Sequence, residues 1–236
     1  VSSSAHVTLV PWLAGWDYER LDPEVRKGFE VALHTGTAVG LAIGLREYGG
    51  SVRQTAIALA PAVVVGLALG DTIERRLGTP ATIAAGLIAG ALVMLAADRA
   101  PQERDAADVD DRDAAALGVA QAVALFPGVS RSGATLATGR LLRFRRPAAA
   151  ALSRRLMVPV LFGATVFKGF KLARRGLEPE LRAPFAAGAA TSLLSTLAVL
   201  PVARGRLDSV PPGPVAAYRI GLAALVIRRV RQNRRS

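Results

Sequence analysis

The chain has 236 residues, 51% of them hydrophobic and only 20% charged, and it contains no cysteine. The missing thiols exclude disulfides and thiolate metal centres. The net charge of +12 comes mostly from arginines that flank apolar runs or crowd the tail from Arg228, and aromatic residues are only 5% of the chain; that distribution fits anchoring at lipid headgroups and argues against a nucleic-acid partner.

In chain order, the opening VSSSAHVTL carries no basic stretch of the kind that begins a cleavable signal peptide. A polar connection over Gly15 to Gly28 precedes apolar patterns that predict helices over Phe29–Leu45, Thr55–Gly70 and Thr79–Ala97. The second and third of these read TAIALAPAVVVGLALG and TPATIAAGLIAGALVMLAA, without a charge. DRAPQERDAADVDDRD, Asp98 to Asp113, reads as an acidic surface loop and the clearest break in the chain. An apolar segment from Ala114 to Phe126 follows, then the turn PGVSRSGAT, then a shorter helix to about Leu142. Further spans are predicted over Leu152–Phe170, Phe185–Ala203 and Pro214–Ile227. A spanning helix needs roughly 20 mostly apolar residues. Several such runs separated by charged loops predict an all-α polytopic membrane protein.

Ala114–Leu142 departs from this pattern. Its apolar stretches on either side of Pro127-Gly128 are each too short to cross a bilayer, which describes a re-entrant helix-loop-helix. VSSSA at the start of the chain can be laid over VSRSG from Val129, so that Ser3 falls opposite Arg131 and His6 near Ala134. HTGTAVGLAIG from His34 is weakly similar in texture to VPVLFGATVFKG from Val158. Together these predict one integral membrane domain built as a helical bundle of two inverted repeats, about 1–97 and 114–236, joined by the acidic segment 98–113.

The polar residues concentrate in the two loops. Backbone N–H groups after Pro127 open a helix and favour an anion. Arg131 adds a fork of donors suited to phosphate oxygens, Ser130, Ser132 and Thr135 add hydroxyls, and Gly128 and Gly133 permit close backbone approach. An arginine at the centre of a membrane helix costs at least ~2.5 kcal/mol and is retained where it has a partner. The alternative is an arginine snorkelling to headgroups beside serines that only cap a helix; the density of polar groups in one turn favours an anion site. At the other loop, Ser2, Ser3 and Ser4 precede His6, which titrates near neutral pH. Taken alone they are ordinary caps and a surface histidine. Brought together by the repeat, His6 and Arg131 make a base beside an anion clamp, the parts of a phosphoryl-transfer site. Glu30 reads as a cap at the start of its helix. His34 has no assigned role. Tyr218 and Arg219 fit either an interfacial anchor or a cavity face. Glycines at four-residue spacing (Gly36, Gly40, Gly44; Gly66, Gly70; Gly86, Gly90) permit close helix packing, within one subunit or across a homodimer. No GxxxxGK[ST] or HExxH is present, so nucleotide hydrolysis and zinc chemistry have no support.

GVAQAVALF followed by PGVSRSGAT resembles the second signature of the bacterial undecaprenyl-diphosphatases, the family linked to bacitracin resistance. VSSSAH resembles the end of that family's first signature, and AYRIGLAAL is similar to its last helix. The resemblance runs in order along essentially the whole chain. It implies a multi-pass hydrolase of the bacterial plasma membrane, with its site facing the extracytoplasmic side. Such an enzyme removes the terminal phosphate of undecaprenyl diphosphate to recycle the lipid carrier for cell-wall synthesis. It implies that Ser3, His6 and Arg131 are catalytic: Ser3 as nucleophile or phosphate ligand, His6 as the histidine of the reaction, Arg131 on the diphosphate. Ser2, Ser4, Gly128, Ser130, Ser132, Gly133 and Thr135 are then expected to line the substrate. It also implies a divalent cation, Mg2+ or Ca2+. The family places two glutamates, E-x-x-x-E, just upstream of the position where this sequence opens. The chain therefore reads as truncated at its N-terminus, with the metal ligands before Val1 and turnover by the chain as written left open. Two rival readings are a polyprenyl-phosphate transporter and a non-catalytic lipid-binding protein. Few ionisable residues lie inside the spans beyond the two loops, which speaks against transport.

Overall fold

The structure, a computed structural model, describes residues 2–44, 51–176, 178–202 and 208–233. Val1 at the head of the predicted repeat, the predicted helix ends Leu45 and Ala203, and the last three residues of the basic tail lie outside the described residues. Among those described, the chain forms nine helices: α1 (Ser3–Ala14), α2 (Pro23–Gly44), α3 (Val52–Leu77), α4 (Pro80–Ala97), α5 (Asp111–Val123), α6 (Arg131–Leu141), α7 (Arg146–Arg175), α8 (Pro179–Val202) and α9 (Gly213–Asn233). Four helical stretches are long and apolar enough to cross a membrane: α3, α4, Arg146–Val166 of α7, and α8. The protein is an all-α, multi-pass membrane protein.

Each predicted helix is present, but most run past the apolar patterns that revealed them. Helix α2 starts at Pro23, so Glu30 sits inside the helix rather than capping it. There, burial first and the Glu30 carboxylate second push the Tyr18 phenol above its ordinary range. Helix α3 reaches Leu77, two arginines beyond the last apolar turn. The reason is physical: charged residues propagate a helix as well as apolar ones do, so hydropathy marks the hydrocarbon crossing and not the helix end.

By backbone contact the chain divides into two compact units. The first comprises Val1–Gly15, Gly50–Leu156 and Ser209–Ser236, and holds α1, α3, α4, α5, α6, the start of α7, and α9. Its core joins Ala5 and Leu9 of α1 to Ile83, Ala84 and Leu87 of α4 and to Leu222, Ala223 and Val226 of α9. A second contact at the far end of α4 joins Met94 and Ala97 to Val215. Because Val215 meets the end of α4 and Val226 its beginning, α4 and α9 are antiparallel. The second unit comprises Trp16–Gly49 and Met157–Asp208, where α2 and α8 lie side by side. A Cβ at Gly36, Gly40 or Gly44 would strike Ala189, Thr196 or Leu200 of α8, so this glycine series is used for close helix packing within the chain. Thr37 and Ser192 share a hydrogen bond of 2.8 Å across the same seam.

The re-entrant segment is α5 and α6. At 1.5 Å per residue, 13 and 11 residues make roughly 20 and 16 Å, short of a hydrocarbon core of about 30 Å. Arg104 ties the two outer ends together. It donates to Asp113 Oδ1 at the start of α5 (2.9 Å) and to the Leu142 carbonyl just past α6 (3.3 Å), while its guanidinium lies 4.3 Å from the Phe144 ring centre. The chain therefore leaves and returns on the same side. Asp110 and Asp113 also cap each other's backbone at the head of α5.

The acidic segment is less of a free surface loop than its composition suggests. Asp113 is buried, and Asp98 accepts from Arg146 (2.7 and 2.8 Å) and from Arg140 (3.4 Å). Buried Arg140 also donates to the carbonyls of Asp98, Ala100, Pro101 and Phe144. Arg140 near the end of α6 and Arg146 at the start of α7 thus close over Asp98, a pairing that a linear reading of charge does not disclose.

Candidate active site

The loop between α5 and α6 turns against the middle of α4, one of the helices long and apolar enough to cross a membrane. Gly86 and Gly90, in the middle turns of α4, leave a groove into which it fits. A Cβ on Gly86 would stand 2.1 Å from the Pro127 carbonyl oxygen, and one on Gly90 2.7 Å from that of Val129. Gly128 adopts φ +90° with its own α-carbon against the α4 backbone, a conformation and an approach that only glycine permits. Gly86 therefore serves this loop, and Gly90 makes room both for the loop and for the Arg219 guanidinium of α9.

Non-helical backbone at this depth must have its carbonyls satisfied by protein. Arg219 of α9 does this. Fully buried, it donates from Nη2 to the carbonyls of Gly128 and Val129, each at 2.8 Å. Its Nε reaches the Leu87 carbonyl at 3.2 Å, and a terminal nitrogen lies 3.6 Å from Met94 Sδ. With both carbonyls drawn toward α9, the Val129 N–H points back into the turn and donates to the Phe126 carbonyl at 3.2 Å.

At the mouth of α6 Ser130 is the N-cap, accepting from Gly133 N at 3.3 Å, with Ser132 Oγ 3.3 Å from its own oxygen. Its φ of +73° is in the left-handed region, uncommon for a serine. Arg131, half-buried, occupies the first helical position. The same arrangement recurs at α1. Ser2 caps it, accepting from Ala5 N at 3.4 Å, and Ser4 Oγ lies 3.3 Å from Ser2 Oγ. Ser3 stands where Arg131 stands in α6. Ser2 is buried while Ser3 and Ser4 are exposed, and Ser2 keeps ordinary extended backbone.

His6 lies one turn into α1. Its Nδ1 is 2.6 Å from the Ser2 carbonyl oxygen and its Nε2 2.7 Å from Tyr218 Oη. Adjacent residues of α9 therefore hold the two loops: Tyr218 the His6 side, Arg219 the Gly128–Val129 side. Sequence reasoning left both residues between an interfacial anchor and a cavity face. The signal that could have found them was an arginine in the middle of an apolar α9, the same cue that drew attention to Arg131.

Not every predicted site residue opens onto this mouth. Thr135 is buried, its hydroxyl 2.7 Å from Ser153 Oγ of α7 and bonded to its own helix at the Arg131 carbonyl. Gly133 faces Arg219 and Met94, and Gly128 faces α4. These three shape the loop from behind. Ser3, Ser4, His6, Ser132 and Arg131 remain at or near the accessible side.

The residues of the two loops are hydroxyls, an imidazole and guanidiniums. Magnesium and calcium take hard oxygen ligands, usually with carboxylates among them. Among the described residues no group of three His, Cys, Asp or Glu side chains is placed to hold a metal ion. This set does not by itself fit the expected divalent cation.

Comparison with known proteins matches this arrangement to named sequences. A family profile described as "Bacitracin resistance protein BacA" matches residues 1–225. The chain is 37% identical to the undecaprenyl-diphosphatase of Geobacter sulfurreducens over 83% of its own length and 78% of the relative's. It is 32% identical to that of Pelotomaculum thermopropionicum over 98% and 91%, and 39% identical to that of Desulforudis audaxviator over 73% and 70%.

Proposed function

The chain belongs to the bacitracin resistance protein BacA family, and from that premise we propose how its two serine loops carry out the reaction its relatives are named for. The protein is an undecaprenyl-diphosphate phosphatase. It hydrolyses the terminal phosphate of the lipid diphosphate to give undecaprenyl phosphate and inorganic phosphate. Water supplies the oxygen that ends in inorganic phosphate; the bond from the terminal phosphorus to the bridging oxygen breaks, and undecaprenyl phosphate leaves with the electron pair.

The observation that carries the site assignment is the pair Tyr218-Arg219, which ties His6 and the Arg131 loop to one turn of one helix. In this reading Arg131 and the first N–H groups of α6 take the charge that develops on the transferred phosphoryl oxygens. Ser132 beside it and Ser4 at the other mouth orient the headgroup, while buried Ser130 and Ser2 hold the two helix caps in place. Ser3 Oγ or a water is the attacking oxygen, and His6 removes its proton. The polyprenyl tail stays in the surrounding hydrocarbon. The matching caps at Ser2 and Ser130, and the antiparallel α4 and α9, support inverted repeats over about 1–97 and 114–236.

Three finer parts belong to this proposal. The site faces the extracytoplasmic side of the bacterial plasma membrane, with the basic end of α9 on the cytoplasmic side. A homodimer would use Gly66 and Gly70 of α3, since the other glycine series are taken up within the chain. A divalent cation is expected from the resemblance alone, and no step is routed through it.

The test is phosphate release from undecaprenyl diphosphate in detergent, with and without magnesium, with Arg131→Ala as control. Release that depends on Arg131 is the expected result. Tight binding of the lipid without release, in either condition, would overturn hydrolysis by this set of residues and favour a transporter or binding protein.

A further inference from the structure

His6 has both ring nitrogens engaged, and the partners differ in kind. Nδ1 faces the Ser2 backbone carbonyl at 2.6 Å. A carbonyl can only accept, so Nδ1 carries a hydrogen whatever the charge of the ring. The lone pair of the neutral imidazole is therefore on Nε2, and there it meets the hydroxyl of Tyr218 at 2.7 Å rather than open space. The two rings are nearly parallel, 4° apart with centres 5.6 Å distant, so the contact is held by packing as well as by the hydrogen bond. Tyr218 is 50% exposed and is fixed in the chain next to fully buried Arg219.

A phenol suits this position for a chemical reason. It donates to a neutral imidazole and, by turning its O–H, accepts from a protonated one. It therefore stays bonded to His6 before and after proton uptake, which a backbone carbonyl or an ammonium group could not do. Because it covers Nε2, a proton from the attacking oxygen cannot reach the lone pair without passing it.

We propose that Tyr218 is a catalytic residue of the reaction: it holds His6, which the Ser2 carbonyl sets as the Nδ1–H tautomer, and relays the proton of the attacking oxygen to Nε2. The inference rests on the assignment of His6 as the base. In the step, the attacking oxygen gives its proton to Tyr218 Oη as the Tyr218 hydroxyl proton passes to His6 Nε2. The tyrosine ends as it began, the imidazole gains one proton, and the electron pair left on the attacking oxygen forms the bond to phosphorus.

Tyr218→Phe keeps the ring contact and removes only the hydroxyl. The expected result is a kcat reduced 10-fold or more at unchanged KM, with no further loss when the substitution is added to His6→Ala. A retained kcat, or losses that multiply in the double variant, would overturn the relay. The chain has only two histidines, so ¹⁵N spectra of the ring nitrogens read the contact without turnover. His6 Nε2 should shift in Tyr218→Phe while the His34 signals stay in place, and an unmoved Nε2 also overturns the proposal. If wild-type protein releases no phosphate, the assignment of function has failed and the spectra alone decide the Tyr218–His6 contact.

Discussion

Replacing Arg219 by methionine removes a guanidinium while keeping most of the side-chain volume. In the intact protein that group is the donor to the Gly128 and Val129 carbonyls, both at 2.8 Å. The Leu87 and Gly86 carbonyls it also touches lie inside α4 and have helical partners of their own. The loss therefore falls on two buried loop carbonyls. Leaving a buried polar group without a partner costs about 1–3 kcal/mol, so Arg219→Met should destabilise the native state by about 2–6 kcal/mol. The strain is local, so activity should fall further than stability: once the two carbonyls turn to find other donors, the turn that leads into the Ser130 cap of α6 shifts with them. Thermal unfolding in detergent reads the first effect. Phosphate release, together with hydrogen exchange at the amides of Ser130 to Ser132, reads the second. Arg219→Lys should recover only part of either, because an ammonium cannot present two forked donors to adjacent carbonyls. An Arg219→Met protein with wild-type melting, exchange and turnover would refute the account of this arginine as the support of the loop.

Arg131→Ala removes a preorganised donor from the mouth without touching Arg219 or α4, so kcat should drop by about 10²–10³ at little change in melting temperature; unchanged turnover and affinity for diphosphate would sink the clamp assignment. Gly86→Ala places a Cβ 2.1 Å from the Pro127 carbonyl oxygen and should displace the loop and abolish phosphate release, whereas Gly70→Ala, at a site with nothing within 4 Å, should be silent in the same assay. The Asp98 carboxyl is held below its ordinary value, first by its hydrogen bonds from Arg146. Its contribution to stability is therefore present above the unfolded-state value of about 4 and disappears as pH falls through the lower folded one. Melting of the wild type should drop on acidification through that range, and Asp98→Asn should flatten the drop; equal slopes would remove Asp98 from the acid response.

Much of the architecture was legible in order along the chain, because the bilayer imposes a one-dimensional rule. A stretch of apolar residues of sufficient length has few alternatives to a crossing helix, and α3, α4, α7 and α8 follow from that rule alone. Pro127-Gly128 between two short apolar stretches likewise marked the re-entrant turn, because proline and glycine act on the local backbone. The repeated Val-Ser-x-Ser pattern pointed to two similar loops, and at each of them a serine caps a helix, with Ser2 and Ser130 each bonded to the N–H three residues on. Helix ends were less legible, since Glu24, Arg75 and Arg76 extend helices past the hydrocarbon without any hydropathic mark.

What the sequence by itself determined, then, was the all-helical kind of the chain and the four helices long and apolar enough to cross, the place of the break, and the residue types gathered at two loops. The partners of those residues were decided only by the tertiary structure. His6 meets Tyr218 across 212 positions, Arg219 meets Gly128 across 91, and Asp98 meets Arg146 across 48. No local propensity or periodicity encodes such pairings; they arise from which helix faces lie against each other once α1, α4 and α9 pack. The same packing turned Thr135 away from the mouth toward Ser153 and set Gly86 against the loop and Gly90 against both the loop and Arg219. Hydrophobic pattern is read along a chain, whereas a buried polar group is satisfied by whatever the fold brings within 3 Å of it, and that is a property of three dimensions.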